Sequence, residues 1–197
     1  MAERVEHPEL HVPSATAWEG WLREHHGEVR GVWLHLAKKA APEAAPSYAE
    51  ALEVALCYGW IDGQARGGDA RTYTQKFTPR GPRSLWSKIN REKALRLIAE
   101  GRMQPAGLAA VEAARADGRW DAAYDSAANS TVPEELALAL DANPQAKARF
   151  ESLSSANRYA VLFRIQTAVR PQTRAARVER LVAMLAAGDT IHPQGGR

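Results

Sequence analysis

The feature that most constrains this chain is its punctuation after Pro82. Gly101, Gly118, Pro133, Pro144, Pro171 and Gly188 divide the rest of the sequence into segments of helical length. The spacing predicts helices over 87–100, 105–117, 133–142, 144–153, 156–168 and 172–187. In the last of these, Val178, Leu181, Val182 and Leu185 form one apolar face. Residues 118–132 lack periodicity and read as a connector, and 189–197 read as a frayed tail.

The strands are expected before Pro82. "GVWLHLA" at 31–37 alternates, with Val32, Leu34 and Leu36 on one side and Trp33 and His35 on the other. Two further strands, 60–66 and 71–78, flank a Gly67-Gly68-Asp69 turn and form a hairpin. Residues 1–13, broken by Pro8 and Pro13, read as an irregular arm. Thr16 and Glu19 stand at capping-box spacing before a helix carrying Trp18, Trp21 and Leu22. Ser47 and Glu50 repeat that spacing before a second helix, with Tyr48, Ala51, Leu52, Ala55 and Leu56 on its apolar stripe and Gly59 at its end. The fold class is therefore α+β: a small antiparallel sheet of about three strands packed with helices, then a helical C-terminal half. It reads as a single domain over 1–197, with 14–117 and 133–188 as its possible subdivisions.

Composition narrows the function classes. A chain of 197 residues that is 45% hydrophobic buries a core without staples, and its one cysteine, Cys57, excludes an internal disulfide. Cys57 reads as buried and structural rather than nucleophilic. The first residues show no apolar signal-peptide core and no run is long enough to span a bilayer, so the expected location is cytoplasmic. A net charge of +3 permits an anionic partner without demanding one.

Gly59–Asn90, "GWIDGQARGGDARTYTQKFTPRGPRSLWSKIN", mixes aromatic, acidic, amide and cationic groups in one run. Strand alternation sets Trp60, Asp62 and Gln64 on one face, and Tyr73 and Gln75 together on the partner strand. If Trp33 and His35 share that face, the sheet lines an aromatic and polar pocket. Pro79 and Pro82 then stiffen a loop that carries Arg80 and Arg83 to a helix start at Trp86 and Ser87. Arginines beside free helix N–H groups suit a phosphate or carboxylate. Core packing for the tryptophans, a cap for Ser87 and solvated arginines are the opposing reading.

Several of these motifs carry a resemblance. "ALCYGWIDGQ", "YTQKFTPRGPRSLWSKIN", "AEGRMQPAGLAAVEAARADGRWDAAYDS" and "VLFRIQTAVRPQTRAARVERLVAML" resemble the YdeI/OmpD-associated family, also described as bacteriocin-protection proteins. The resemblance implies a role in bacterial survival under antimicrobial peptides and envelope stress. The chain departs from the family pattern at Lys76 and Gly81.

Three function classes follow. The first is a protein binding a small, partly anionic molecule through Trp33, His35, Trp60, Asp62, Gln64, Tyr73, Gln75, Arg80, Arg83, Trp86 and Ser87. The second is an enzyme using Asp62 as general acid or base with Arg83 stabilising negative charge. No nucleotide-loop, nucleophile-elbow or zinc-protease spacing accompanies it. The third is nucleic-acid binding through the basic helices, which Glu92, Glu100 and Glu179 interrupt. No cofactor is expected. No metal site is expected either, since Pro8 and Pro13 spoil a helix carrying His7 and His11.

Overall fold

The structure, a computed structural model, describes residues 7–194. The outer parts of the expected arm and tail, 1–6 and 195–197, lie outside the described residues. The chain is α+β with a helical C-terminal half, and it divides into two compact units. One comprises Met1–Ser84 with Glu92–Ala114, the other Leu85–Arg91 with Arg115–Arg197.

In the first unit, β1 (Glu9–Leu10) precedes α1 (Ala15–His25), β2 (Val32–Ala37), α2 (Tyr48–Cys57), β3 (Trp60–Arg66) and β4 (Thr72–Pro79). The sheet order is β1-β2-β4-β3. Thus the expected hairpin is present, and β2 pairs antiparallel with β4. A fourth strand is added: part of the expected irregular arm, β1, runs parallel to β2, and Trp33 N–H donates to the Pro8 carbonyl at 2.9 Å. The sheet is therefore mixed.

Helix ends follow local chemistry. Ser47 and Glu50 form the expected reciprocal capping box on α2. On α1 the cap is Ser14, not Thr16: its hydroxyl accepts from Ala17 N–H. The stripe of α2 buries Ala51, Leu52, Ala55 and Leu56, whereas Tyr48, in the first turn, stays exposed. Gly59 ends that helix at φ +72°, a left-handed conformation that suits glycine. The remaining helices of this unit are α3 (Lys88–Ala99), from Glu92 onward, and α4 (Pro105–Ala116), up to Ala114. Gly107 lets α4 lie on the end of α2, because a Cβ there would stand 2.2 Å from the Cys57 carbonyl oxygen. An ion-pair cluster ties Lys93, Arg96 and Arg102 to Glu53.

The second unit is built on α5 (Glu134–Asp141), α6 (Pro144–Glu151), α7 (Ser155–Gln166) and α8 (Pro171–Ala186), each within two residues of its expected bounds. Leu136, Leu140, Phe150, Val161, Leu162, Ile165, Val178, Leu181 and Leu185 form its core. The expected α8 face packs inward, and Arg174 pairs with Glu135. Arg177 donates to the Arg164 carbonyl and to Thr167 Oγ1. The expected frayed tail is tied down as far as Gln194. Buried Asn157 donates to the His192 carbonyl and accepts from the His192 N–H. No helix among the described residues is long and apolar enough to cross a membrane.

Candidate functional site

Register decides which of the expected site residues meet. Val32 pairs with Phe77, Leu34 with Gln75 and Leu36 with Tyr73, while Asp62 pairs with Phe77 and Trp60 with Pro79. Paired residues share a face. Trp60, Asp62, Tyr73 and Gln75 therefore lie with Val32, Leu34 and Leu36. The expectation that Trp33 and His35 join them is overturned, because both belong to the opposite face with Lys76, Thr74 and Thr72.

The first face is mostly core. Trp60 is 1% exposed, edge-on to Trp18 and Trp21 with centroids 6.1 and 6.0 Å away, and its indole N–H donates to the His26 carbonyl at 3.2 Å. Gln75 is buried, and its amide donates to the Gly63 carbonyl at 2.8 Å, within a β-bulge between Asp62 and Ala65. Gln64 sits in the same bulge, exposed. Burial pushes the Tyr73 phenol above its ordinary range. Asp62 lies at the margin, half-buried, and accepts from the Tyr48 hydroxyl at 2.9 Å. The partner of Asp62 is thus a phenol on α2.

The loop after β4 supplies structure at each step. Arg80 N–H donates to the Gly59 carbonyl, and Gly81 N–H to Ser84 Oγ at 3.0 Å. Arg83 is exposed. Trp86 and Ser87 belong to the second unit. There Trp86 packs edge-on to Trp120 at 4.9 Å, and Ser87 accepts from Asn90 N–H as the cap of α3. Lys88 pairs with Asp125 at 2.6 Å.

Residues 10–110, about half of the chain, match the family model described as Domain of unknown function (DUF8412). The chain belongs to the DUF8412 family. Residues 129–188 match a second model, described as Bacteriocin-protection, YdeI or OmpD-Associated (OmdA). The resemblance read from the sequence is thus located in the C-terminal segment, whereas the hairpin motifs fall in the DUF8412 segment. No curated protein and no solved structure matches the chain.

The second face of the DUF8412 sheet is polar. Trp33 is buried beneath the Arg66 guanidinium, 3.6 Å from its ring centroid, with the Lys76 ammonium 6.0 Å away. Toward β1 the same face opens into a recess of about 270 Å³ lined by His11, Val12, Pro13, His35, Ala44, Ala45 and Thr72. His11 stacks on His35 with centroids 3.4 Å apart, and His35 Nε2 lies 3.1 Å from Glu9 Oε2. His35 Nδ1 lies 3.4 Å from Thr72 Oγ1. Thr72 is held in turn by Asp69, which accepts from the backbone N–H groups of Thr72 and Arg71. Those two bonds hold the Asp69 carboxyl below the usual carboxylate range.

Of the recess residues only His35 was legible as a site residue. Glu9 and His11 fall in the expected irregular arm, and Thr72 in the expected strand 71–78. The missed signal was the pair of prolines: read as helix breakers, Pro8 and Pro13 are equally consistent with an extended arm running along a sheet edge.

Proposed function

We propose that this chain is a protective protein of the bacteriocin-protection type that acts by binding rather than by catalysis, and that the recess beside His11 and His35 takes a small, partly anionic molecule. The observation that carries the reading is the recess itself. It combines aliphatic walls from Val12, Pro13, Ala44 and Ala45 with two imidazoles and the Thr72 hydroxyl, a few fixed polar groups in an apolar hollow. The OmdA match at 129–188 supports the protective role. Trp60 and Gln75, two members of the expected hairpin site, are committed to the core and leave that face little polar lining. Outside the recess, Arg80 and Arg83 supply positive charge on the loop after β4.

The test is survival of a bacterial strain lacking this gene when challenged with a cationic antimicrobial peptide. The natural chain restores survival. Ala44→Trp, which fills the recess from its rim, abolishes the rescue while the purified variant keeps its circular dichroism spectrum and melting temperature. Rescue by Ala44→Trp equal to that by the natural chain refutes the reading.

A further inference from the structure

His35 stands between two polar partners in the recess. Its Nδ1 lies 3.4 Å from Thr72 Oγ1, which is itself 3.2 Å from Asp69 Oδ1, and its Nε2 lies 3.1 Å from Glu9 Oε2. In the tautomer that places the hydrogen on Nδ1 toward Thr72, Nε2 presents a lone pair to the Glu9 carboxylate, and a cation between the two completes the contact.

We propose that Glu9, His11 and His35 bind a divalent first-row transition metal ion of the zinc type, leaving at least one coordination position open to the recess. Their ligand atoms all lie within 4.8 Å of one another. Around a tetrahedral zinc ion with bonds of about 2.1 Å, ligand atoms stand roughly 3.4 Å apart. The His35–Glu9 edge already meets that spacing. His11 does not: stacked on His35 with its plane at 23°, its nitrogens point alongside those of His35 instead of converging with them. Coordination turns the His11 ring out of the stack. That ring is exposed, so the turn displaces no core residue.

His35 is the preorganised ligand. With Nε2 on the metal, Nδ1–H is left to donate to Thr72, which Asp69 holds in turn, the relay through an outer hydrogen-bond shell that metal-bound imidazoles use. Two imidazoles and one carboxylate favour zinc, cobalt or nickel over calcium or magnesium, which prefer all-oxygen sets. Three such ligands leave a divalent ion with net positive charge, which draws a small anion into the recess. The proposal thus rests on the recess being a binding site and supplies the charge that its ligand needs.

The test uses the full chain, stripped with a chelator and titrated with Co²⁺. One equivalent binds, visible d–d absorption appears, and Zn²⁺ displaces it. His35→Ala lowers affinity on the order of 100-fold, and Thr72→Val, which touches no metal, about tenfold. His25→Ala with His26→Ala changes nothing. Should His35→Ala fail to fold, the exposed Glu9→Gln and His11→Ala carry the test, each losing at least about tenfold. Absence of a visible band up to millimolar Co²⁺ overturns the proposal, as does an affinity that the ligand variants leave unchanged. The two readings fail separately. Co²⁺ binding with full rescue by Ala44→Trp refutes the protective recess but keeps the metal site; lost rescue without Co²⁺ binding does the reverse.

Discussion

Gln75 distinguishes scaffold from site more sharply than any other residue of the hairpin. It is 5% exposed, paired with Leu34 on one side and Ala65 on the other, and its amide donates at 2.8 Å to the carbonyl of bulged Gly63. Gln75→Ala removes that hydrogen bond, worth about 1 kcal/mol net. It also removes one buried methylene, at about 0.8 kcal/mol, and the carboxamide, whose space the core leaves partly empty. The sum is about 2–3 kcal/mol, a fall in melting temperature of roughly 5–10 °C for a chain of this size. Gln75→Leu keeps the volume and loses only the hydrogen bond, and Gly63, being exposed, recovers water. Its cost is about 1 kcal/mol or less. The order natural, Leu, Ala in urea and thermal unfolding is the signature of a scaffold. A Gln75→Ala protein that melts with the natural chain but no longer protects cells refutes the assignment and returns Gln75 to a ligand.

Other residues give independent checks. Trp60→Ala, emptying the cluster with Trp18, Trp21 and Phe77, costs about 3–5 kcal/mol; a soluble variant with unchanged melting shows that the indole is a pocket wall. Burial pushes the Cys57 thiol up to about 11 from 9.0, so at pH 8 the folded chain reacts with a thiol reagent roughly a hundredfold more slowly than the urea-unfolded chain. Because the folded value is the higher one, this contribution to stability is complete below pH 9 and is lost as pH rises through 11, by about 2–3 kcal/mol. Equal labelling rates before and after unfolding contradict the burial.

Much of the fold was legible because its signals are local. Ser47 and Glu50 sit three residues apart and cap each other; the Gly67–Asp69 turn lies between two alternating runs; Pro144 and Pro171 open the helices they were expected to open. Face assignment was not legible, for a reason specific to sheets. Side chains alternate with period two, so a one-residue change in how β2 meets β4 exchanges Trp33 and His35 for Val32, Leu34 and Leu36. Nothing within either strand records that choice. Hydrophobicity does record it when the two strands are compared: β2 puts its aliphatic residues on one side, β4 puts Phe77 on one side, and the core needs both.

That comparison also explains where the functional groups went. Once Val32, Leu34, Leu36, Trp60 and Phe77 are placed on the face covered by α1 and α2, every polar group on β2 is forced to the other face. His35 then stands beside the only described strand that pairs with the free edge of β2, and that strand brings Glu9 and His11 with it. Thr72 arrives from the opposite side because it pairs with Ala37 in β4. Three segments separated by up to about sixty residues converge on one imidazole, each placed by backbone pairing alone. Local patterns name His35 and overlook its neighbours because the neighbours are selected by register, and register is settled by the aliphatic face on the far side of the sheet.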